Sequence, residues 1–258
     1  MKKNQIRLAI TGINGRMGKN ILKVLNTETI NNILLNGVIE SKSSLKKKDK
    51  ILYKSNILNI KSNLIDIIEQ FDILIDFTNP KTTLENINIC NQYKKKIVIG
   101  TTGFTTQQKL IIKKISKNIA VILSSNFSQG INILLKIIEN MIKILCQNKQ
   151  INNVDIDIIE KHHKKKIDFP SGTALSLKEI ILQTYKKFNM IKKVTCHSIR
   201  AADLYGEHSI LFSFIGEQIE LIHKASNRIP FAKGAIEAAI WINNKKTGIY
   251  NMNDVLGI

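Results

Sequence analysis

Between positions 160 and 174 the chain reads Glu-Lys-His-His-Lys-Lys-Lys-Ile-Asp-Phe-Pro-Ser-Gly-Thr-Ala. Two adjacent imidazoles, His162 and His163, are followed by a cluster of ammonium groups that includes Lys166, and then by the carboxylate of Asp168. Imidazole titrates near neutral pH and can exchange a proton there. An ammonium can hold a carboxylate or offset negative charge as it develops. Pro170 punctuates the stretch, and Ser171 can act as N-cap to a periodic run over 175–188. A helix start presents unpaired N–H groups and partial positive charge, which favours anions. Gly172 lets a ligand approach that backbone closely, and Thr173 adds a hydroxyl. Upstream, residues 154–160 alternate apolar and acidic types as a strand does, so both histidines sit at a strand end. Strand end, charged loop and helix start together fit a small substrate carrying carboxylates. A plainer reading of the same residues is a solvated basic surface with two surface histidines.

Other elements must position these groups and any co-reactant. Ile6–Thr11 reads as a buried strand that runs into Gly12-Ile-Asn-Gly15-Arg-Met-Gly18 and a helical pattern over 19–25. Strand, glycine turn and helix in that order give a dinucleotide fingerprint its context. Its spacing, G-x-x-G-x-x-G, is not the commoner G-x-G-x-x-G. The next strand, over 34–39, ends at Glu40, whose carboxylate can accept hydrogen bonds from an adenosine ribose. A charged loop over 42–50, a weak strand and a helix around 64–70 follow. Strands over 71–78, 96–100 and 119–123 then end at Asn79-Pro80, 'TTG' and 'SSNF', and Thr105 can cap a helix over 107–116. Strands alternating with helices imply a parallel sheet that binds ligands at its carboxyl ends, where these polar tips fall.

Beyond position 128 the character changes. A long amphipathic helix over 131–145 precedes the focal stretch. Runs over 193–199, 209–215 and 218–223 then read as antiparallel strands, with a turn at Gly216-Glu217. The apolar helix over 231–242 is expected to return to the first domain, because a lone helix needs a core to cover.

Composition sets the outer limits. The chain has 258 residues, enough for one large or two modest domains, and 43% hydrophobic with 23% charged residues is a globular balance. A formal charge of +19 raises nucleic acid as a partner. The lysines, however, are scattered among frequent Ile and Asn, aromatics are only 6%, and no recognition motif interleaves them. Three cysteines, Cys90, Cys146 and Cys196, have neither paired nor metal-ligand spacing, which fits a reducing cytoplasm. 'MKKNQIRLAITG' begins like an export signal, but Arg7 interrupts it, and no window is long enough for a membrane span. A metal site on His162, His163 and Asp168 is disfavoured, because neighbouring strand residues point to opposite sides. No nucleic acid, membrane or metal is therefore expected.

The motifs 'GINGRMG', 'DFTNP', 'VIGTTGF', 'SSNFSQGIN', 'EKHHKKKIDFPSGTA', 'GEHS' and 'HKASNR' together resemble the dihydrodipicolinate (4-hydroxy-tetrahydrodipicolinate) reductase family along nearly the whole chain. The most specific is the 'HHxxKxDxPSGTA' string. The resemblance implies an α/β fold: a Rossmann-type parallel-sheet nucleotide-binding domain over 1–128 and 228–258, and a smaller mixed α+β domain for substrate and oligomerisation over 129–227. It implies a cytoplasmic homotetramer that uses NADH or NADPH to reduce a small cyclic dicarboxylate, on the path to diaminopimelate and lysine. His162 matches the family's proton donor and Lys166 its second catalytic position, with His163, Gly172 and Thr173 as substrate contacts. Gly12, Ile13, Asn14, Gly15, Arg16 and Met17 match the pyrophosphate loop. Gly100, Thr101 and Thr102, with Ser124, Ser125, Asn126 and Phe127, match further cofactor contacts.

Two departures stand out. Ser41 and Asn79 occupy positions where members able to use NADPH commonly carry arginine, so NADH is expected to be preferred or fully accepted. Between Cys196 and Gly206 only 'HSIRAADLY' remains of a usually longer loop. That shortening leaves open a Rossmann-type relative with changed substrate or lost activity.

Overall fold

The computed structural model describes residues 5–45, 49–148 and 154–258. Part of the charged loop expected over 42–50, and the first residues of the signal-like start, lie outside them. The chain divides into two compact units, one of residues 1–128 with 229–257 and one of residues 129–228.

In the first unit, β1 (Ile6–Thr11) leads into α1 (Arg16–Thr27), β2 (Ile33–Ile39) and the short α2 (Lys42–Leu45). A hairpin of β3 (Lys50–Tyr53) and β4 (Asn56–Asn59) stands where one weak strand was expected, and residues Leu64–Gln70 form a 3-10 helix. Then come β5 (Ile73–Asp76), α3 (Pro80–Gln92), β6 (Lys96–Ile99), α4 (Thr106–Ile115) and β7 (Ala120–Leu123). Helix α3 was not expected from the sequence; Asn79 caps it by accepting from the Thr82 N–H, and Pro80 opens it. Thr105 and Gln108 cap α4 reciprocally.

The second unit follows: α5 (Gln129–Gln147), β8 (Asp155–His162), α6 (Gly172–Lys187), β9 (Val194–Arg200), β10 (Gly206–Ser213) and β11 (Gln218–Ala225). The chain then completes the first unit with α7 (Ile229–Ile242), β12 (Gly248–Tyr250) and α8 (Met252–Leu256).

The first unit's sheet is parallel throughout, in the order β12-β7-β6-β5-β1-β2. Apolar side chains leave it on both faces. Leu8, Ile10, Ile73 and Ile75 meet α1 and α7 on one side, and Ala9, Leu74, Ile97 and Ile99 meet the 3-10 helix, α3 and α4 on the other. Burial on both faces is why these strands read as nearly continuous apolar runs. Each Leu or Ile among them removed from water contributes about 1.5–3 kcal/mol.

In the second unit, α5 and α6 cover one face of a sheet ordered β11-β10-β8-β9 around Ile138, Ile158, Leu177 and Phe212. β10 pairs antiparallel with β8 and β11, but β9 runs parallel to β8. This corrects the antiparallel expectation: α6 carries the chain back to the starting end of β8, as a crossover helix does. The β10–β11 turn centres on Ile215-Gly216, one residue earlier than expected, with Gly216 at φ +87. No helix among the described residues is long and apolar enough to cross a membrane.

Candidate functional site

In the second unit, β8 ends on His162, and period-two alternation puts Glu160 on the same face. Glu160 is completely buried, 0% exposed. A buried carboxylate has to be compensated, and Arg200, at the end of neighbouring β9, supplies the compensation. Its Nη1 donates to Oε2 at 2.9 Å and its Nη2 to Oε1 at 2.6 Å. Nδ1 of His162 hydrogen-bonds the same Oε2. Burial pushes the Glu160 carboxyl upward, but hydrogen bonds from Arg200, Ser198 and His162 hold it below its ordinary value. The His162 pKa is lowered as well, but here by burial itself: Glu160 partly restores it, and the charges of Lys166 and Arg200 lower it further.

His208, on β10, meets the His162 ring edge-on with centroids 5.1 Å apart. Its Nε2 hydrogen-bonds the Ser171 hydroxyl at 3.1 Å, and Ser171 Oγ in turn caps α6 by accepting from the Ala174 N–H. Burial, with the His162 charge, lowers His208 to about 3.

Donor atoms of Glu160, His162 and His208 lie within 4.8 Å of one another, a spacing that could hold a cation. Both carboxylate oxygens, however, are engaged by a guanidinium, whose charge opposes a second cation there.

The loop after β8 is tied to the same arginine. Arg200 Nη2 donates to the Asp168 carbonyl at 2.7 Å, and its guanidinium lies 4.2 Å from the centre of the Phe169 ring. Lys166 is directed to Asp168, with Nζ 2.8 Å from each carboxylate oxygen. Burial raises the Asp168 carboxyl, yet Lys166 and the backbone of Gly172 hold it below the usual range. The start of α6 is open at Gly172, where an added Cβ would meet nothing within 4 Å. His163 is half-buried, with Nδ1 lacking a hydrogen-bond partner among the described residues. Thr173 is half-buried in the first turn of α6. His162, Lys166, His163, Gly172 and Thr173 thus share one end of the second unit. Sequence reasoning missed Glu160, Arg200 and His208 as its support. Only the i, i−2 spacing of Glu160 from His162 signalled any of them.

In the first unit, a crevice of about 590 Å³ opens at the carboxyl ends of β1, β2 and β5, where successive connections leave β1 to opposite sides. Gly12, Asn14, Gly15, Glu40, Ser41 and Asn79 are among its lining residues. Gly12 turns the chain at φ +70, and a Cβ on Gly18 would lie 2.3 Å from the Gly12 carbonyl oxygen. Only glycine lets strand, turn and helix close this tightly. Glu40 accepts from the Asn14 N–H at 2.9 Å and from its neighbour Ser41 N–H at 2.8 Å, which ties the second strand's acid to the glycine turn. These residues fit a dinucleotide cradle: bare backbone at the turn and a fixed carboxylate beside it.

The remaining expected cofactor contacts do not line this crevice. Ile13 is buried in the core, Met17 packs against it, and Arg16 is exposed at the start of α1. Gly100 makes room for Phe77, whose ring would lie 2.0 Å from a Cβ there. Thr101 is buried and accepts from Thr83 Oγ1 at 2.9 Å, next to Asp76, while Thr102 is exposed. Ser124 donates to the Asn126 carbonyl, Ser125 is exposed, and Phe127 packs against Phe77 with centroids 5.2 Å apart.

Comparison with known proteins accounts for both units. The family model described as dihydrodipicolinate reductase, N-terminus, matches residues 6–127, and its C-terminus counterpart matches residues 130–256. The chain is 46% identical over 260 residues to the 4-hydroxy-tetrahydrodipicolinate reductase of Wigglesworthia glossinidia brevipalpis, covering 99% of this chain and 94% of that one. It is 42% identical over 278 residues to the enzyme of that name from Buchnera aphidicola subsp. Baizongia pistaciae, covering 100% of each. Among solved structures, the dipicolinate-bound dihydrodipicolinate reductase from Paenisporosarcina sp. TG-14 aligns with a TM-score of 0.76 at 25% identity, over 96% of this chain and 97% of that one.

Proposed function

The chain belongs to the dihydrodipicolinate reductase family, and we propose that His162 and Lys166 carry its chemistry. It is a nicotinamide-dependent oxidoreductase that reduces 4-hydroxy-tetrahydrodipicolinate, by way of dihydrodipicolinate, in diaminopimelate and lysine biosynthesis. The alternative of a relative with altered substrate or no activity is not favoured, since family similarity runs through both units.

One observation carries the residue assignment. The second unit holds a buried imidazole, an ammonium close enough to lower its basicity, and an open helix start at one place. The chemistry that a reduced nicotinamide bound in the first unit would supply is a hydride for an electron-poor carbon conjugated with the substrate's C=N bond. His162 gives the proton that completes the reduction. Lys166 holds a substrate carboxylate and offsets negative charge as it grows. His163, Gly172 and Thr173 bind the remaining carboxylate surface, the last two through the α6 start.

In the first unit, Gly12, Asn14, Gly15 and Glu40 hold the dinucleotide, joined by Ile13, Arg16 and Met17 of the same turn. Gly100 to Thr102 and Ser124 to Phe127 serve as outer contacts. NADH is preferred or fully accepted as the donor, because Glu40 repels a 2′-phosphate and Ser41 offers no guanidinium.

The enzyme works in the cytoplasm as a homotetramer. The sheet face turned away from α5 and α6 supports that assembly: it presents Ile199 and Ile222, both exposed, beside the Lys161–Glu207–Lys224 ion pairs.

A coupled assay with freshly made substrate, following loss of reduced-nicotinamide absorbance, tests the reading. Wild type consumes cofactor, and His162→Ala and Lys166→Ala each lose about 10²–10⁴-fold in kcat. A wild-type protein that consumes none sinks the reading.

A further inference from the structure

We propose that Glu160, clamped by Arg200, is a positioning residue that fixes His162 as its Nδ1–H tautomer and so makes Nε2 the atom that exchanges the catalytic proton. The inference rests on His162 being the proton donor, as proposed above. A guanidinium keeps its charge at any pH a folded protein tolerates. A carboxylate gripped by one at both oxygens is an ionised acceptor with no proton of its own to donate. Its hydrogen bond to His162 Nδ1 therefore requires the hydrogen to sit on Nδ1. The ring's proton traffic is left to Nε2.

Two further features keep that nitrogen usable. Gly206, at the start of β10, carries no side chain where a Cβ would come within 3.1 Å of Nε2. His208, anchored through Ser171, stands edge-on to the ring and limits its rotation. The His162 side chain still keeps 11% exposure, an opening for substrate and for recharging by water.

In the proton-transfer step the Nε2–H bond of the imidazolium breaks and its electron pair stays on nitrogen. The proton forms a new bond to the substrate atom made basic by hydride addition. The ring returns to the neutral Nδ1–H form, and Glu160 never takes the proton. The charged and titratable groups facing the ring are Glu160, Arg200, Lys166 and His208. Among them only Glu160 favours the imidazolium.

The test combines a ground-state and a kinetic readout on the full-length enzyme. Two-bond ¹H–¹⁵N correlation of ¹⁵N-labelled histidine, assigned by the signal lost in His162→Asn, reports the tautomer of wild-type His162. Nδ1–H is expected, and an Nε2–H pattern overturns the proposal. Glu160→Gln should lower kcat by about 10- to 100-fold, with KM for substrate and NADH each within about threefold. The alkaline limb of its kcat profile, where the imidazolium donor loses its proton, should move to lower pH, because the imidazolium loses its anionic partner. Glu160→Asp should recover part of kcat. An unchanged kcat and pH limb in Glu160→Gln overturns the proposal; if that variant fails to fold, the wild-type tautomer decides. A fully active His162→Ala would instead sink the underlying assignment of the donor.

Discussion

Asp168 receives the Lys166 ammonium on both carboxylate oxygens, 2.8 Å from each, and also accepts from the Gly172 backbone at the start of α6. This internal carboxylate stands on the two groups assigned above to a carboxylate of the substrate. The substrate must share or displace it. Asp168→Asn removes a competing anion but also the group that aims Lys166. We expect KM for the dianionic substrate to fall by up to about fivefold, the worth of one partly exposed ion pair, while kcat falls too. Steady-state kinetics check this; a rise in KM would show that Asp168 helps to hold the substrate.

Gly206→Ala places a methyl group about 3.1 Å from His162 Nε2. That contact is tight enough to push the imidazole without disturbing the apolar core. We expect kcat to fall roughly tenfold, in line with the cost of small misplacements of a reacting group. Far-ultraviolet circular dichroism and NADH affinity should stay unchanged. A variant with wild-type kcat would mean that the ring has room to retreat.

Ser41 lines the first unit's crevice and donates its N–H to Glu40. Ser41→Arg should raise the NADPH-to-NADH ratio of kcat/KM by about tenfold, the worth of a charge-assisted hydrogen bond. Asn79→Arg behaves differently. Asn79 accepts from the Thr82 N–H as N-cap of α3, so its loss costs about 1 kcal/mol of stability. Kinetics with both cofactors and urea midpoints separate the two effects. A wild-type enzyme that strongly prefers NADPH would contradict the premise.

His208 stays neutral in the folded protein, its pKa lowered from 6.5 to about 3 by burial. The unfolded chain takes up that proton as pH falls below about 6.5, so stability is complete at neutral pH and declines on acidification, down to about pH 3. The slope from this one group approaches about 1.4 kcal/mol per pH unit. Burial also lowers His162 and His223, which add to the decline in the same direction. His208→Gln should flatten the slope between pH 6.5 and 5 in urea titrations, with a lower neutral-pH stability through lost packing. An unchanged slope refutes the assignment.

The central strands were legible because they are buried on both faces. Ile73-Leu-Ile and Ile97-Val-Ile allow no polar interruption, and a glycine turn after β1 pointed to the crevice. Helix α3 was not legible, because its buried stripe includes Thr83 and Asn86, which serve the Asp76 hydrogen-bond network instead of a core. Gly100 also makes room for the Phe77 ring, a packing demand that its own sequence neighbours do not show. The direction of β9 does not show in its own alternation, which is the same either way; the helix between it and β8 was the available clue. Arg200 reaches Glu160 across 40 positions, a distance no local pattern encodes.

Helix α7 brings Ala235, Ile236, Ala239 and Ile242 to the apolar cluster that also contains Leu8, Ile10 and Ile21. The ribosome delivers that helix only after the whole of residues 129–228 has emerged. Throughout that interval α1 is the only one of the two helices on that side of the nascent sheet, so part of a greasy face stays bare, an invitation to chaperones. Premature stop codons late in the message would therefore damage the earliest-made part of the protein, leaving it uncovered and prone to aggregate.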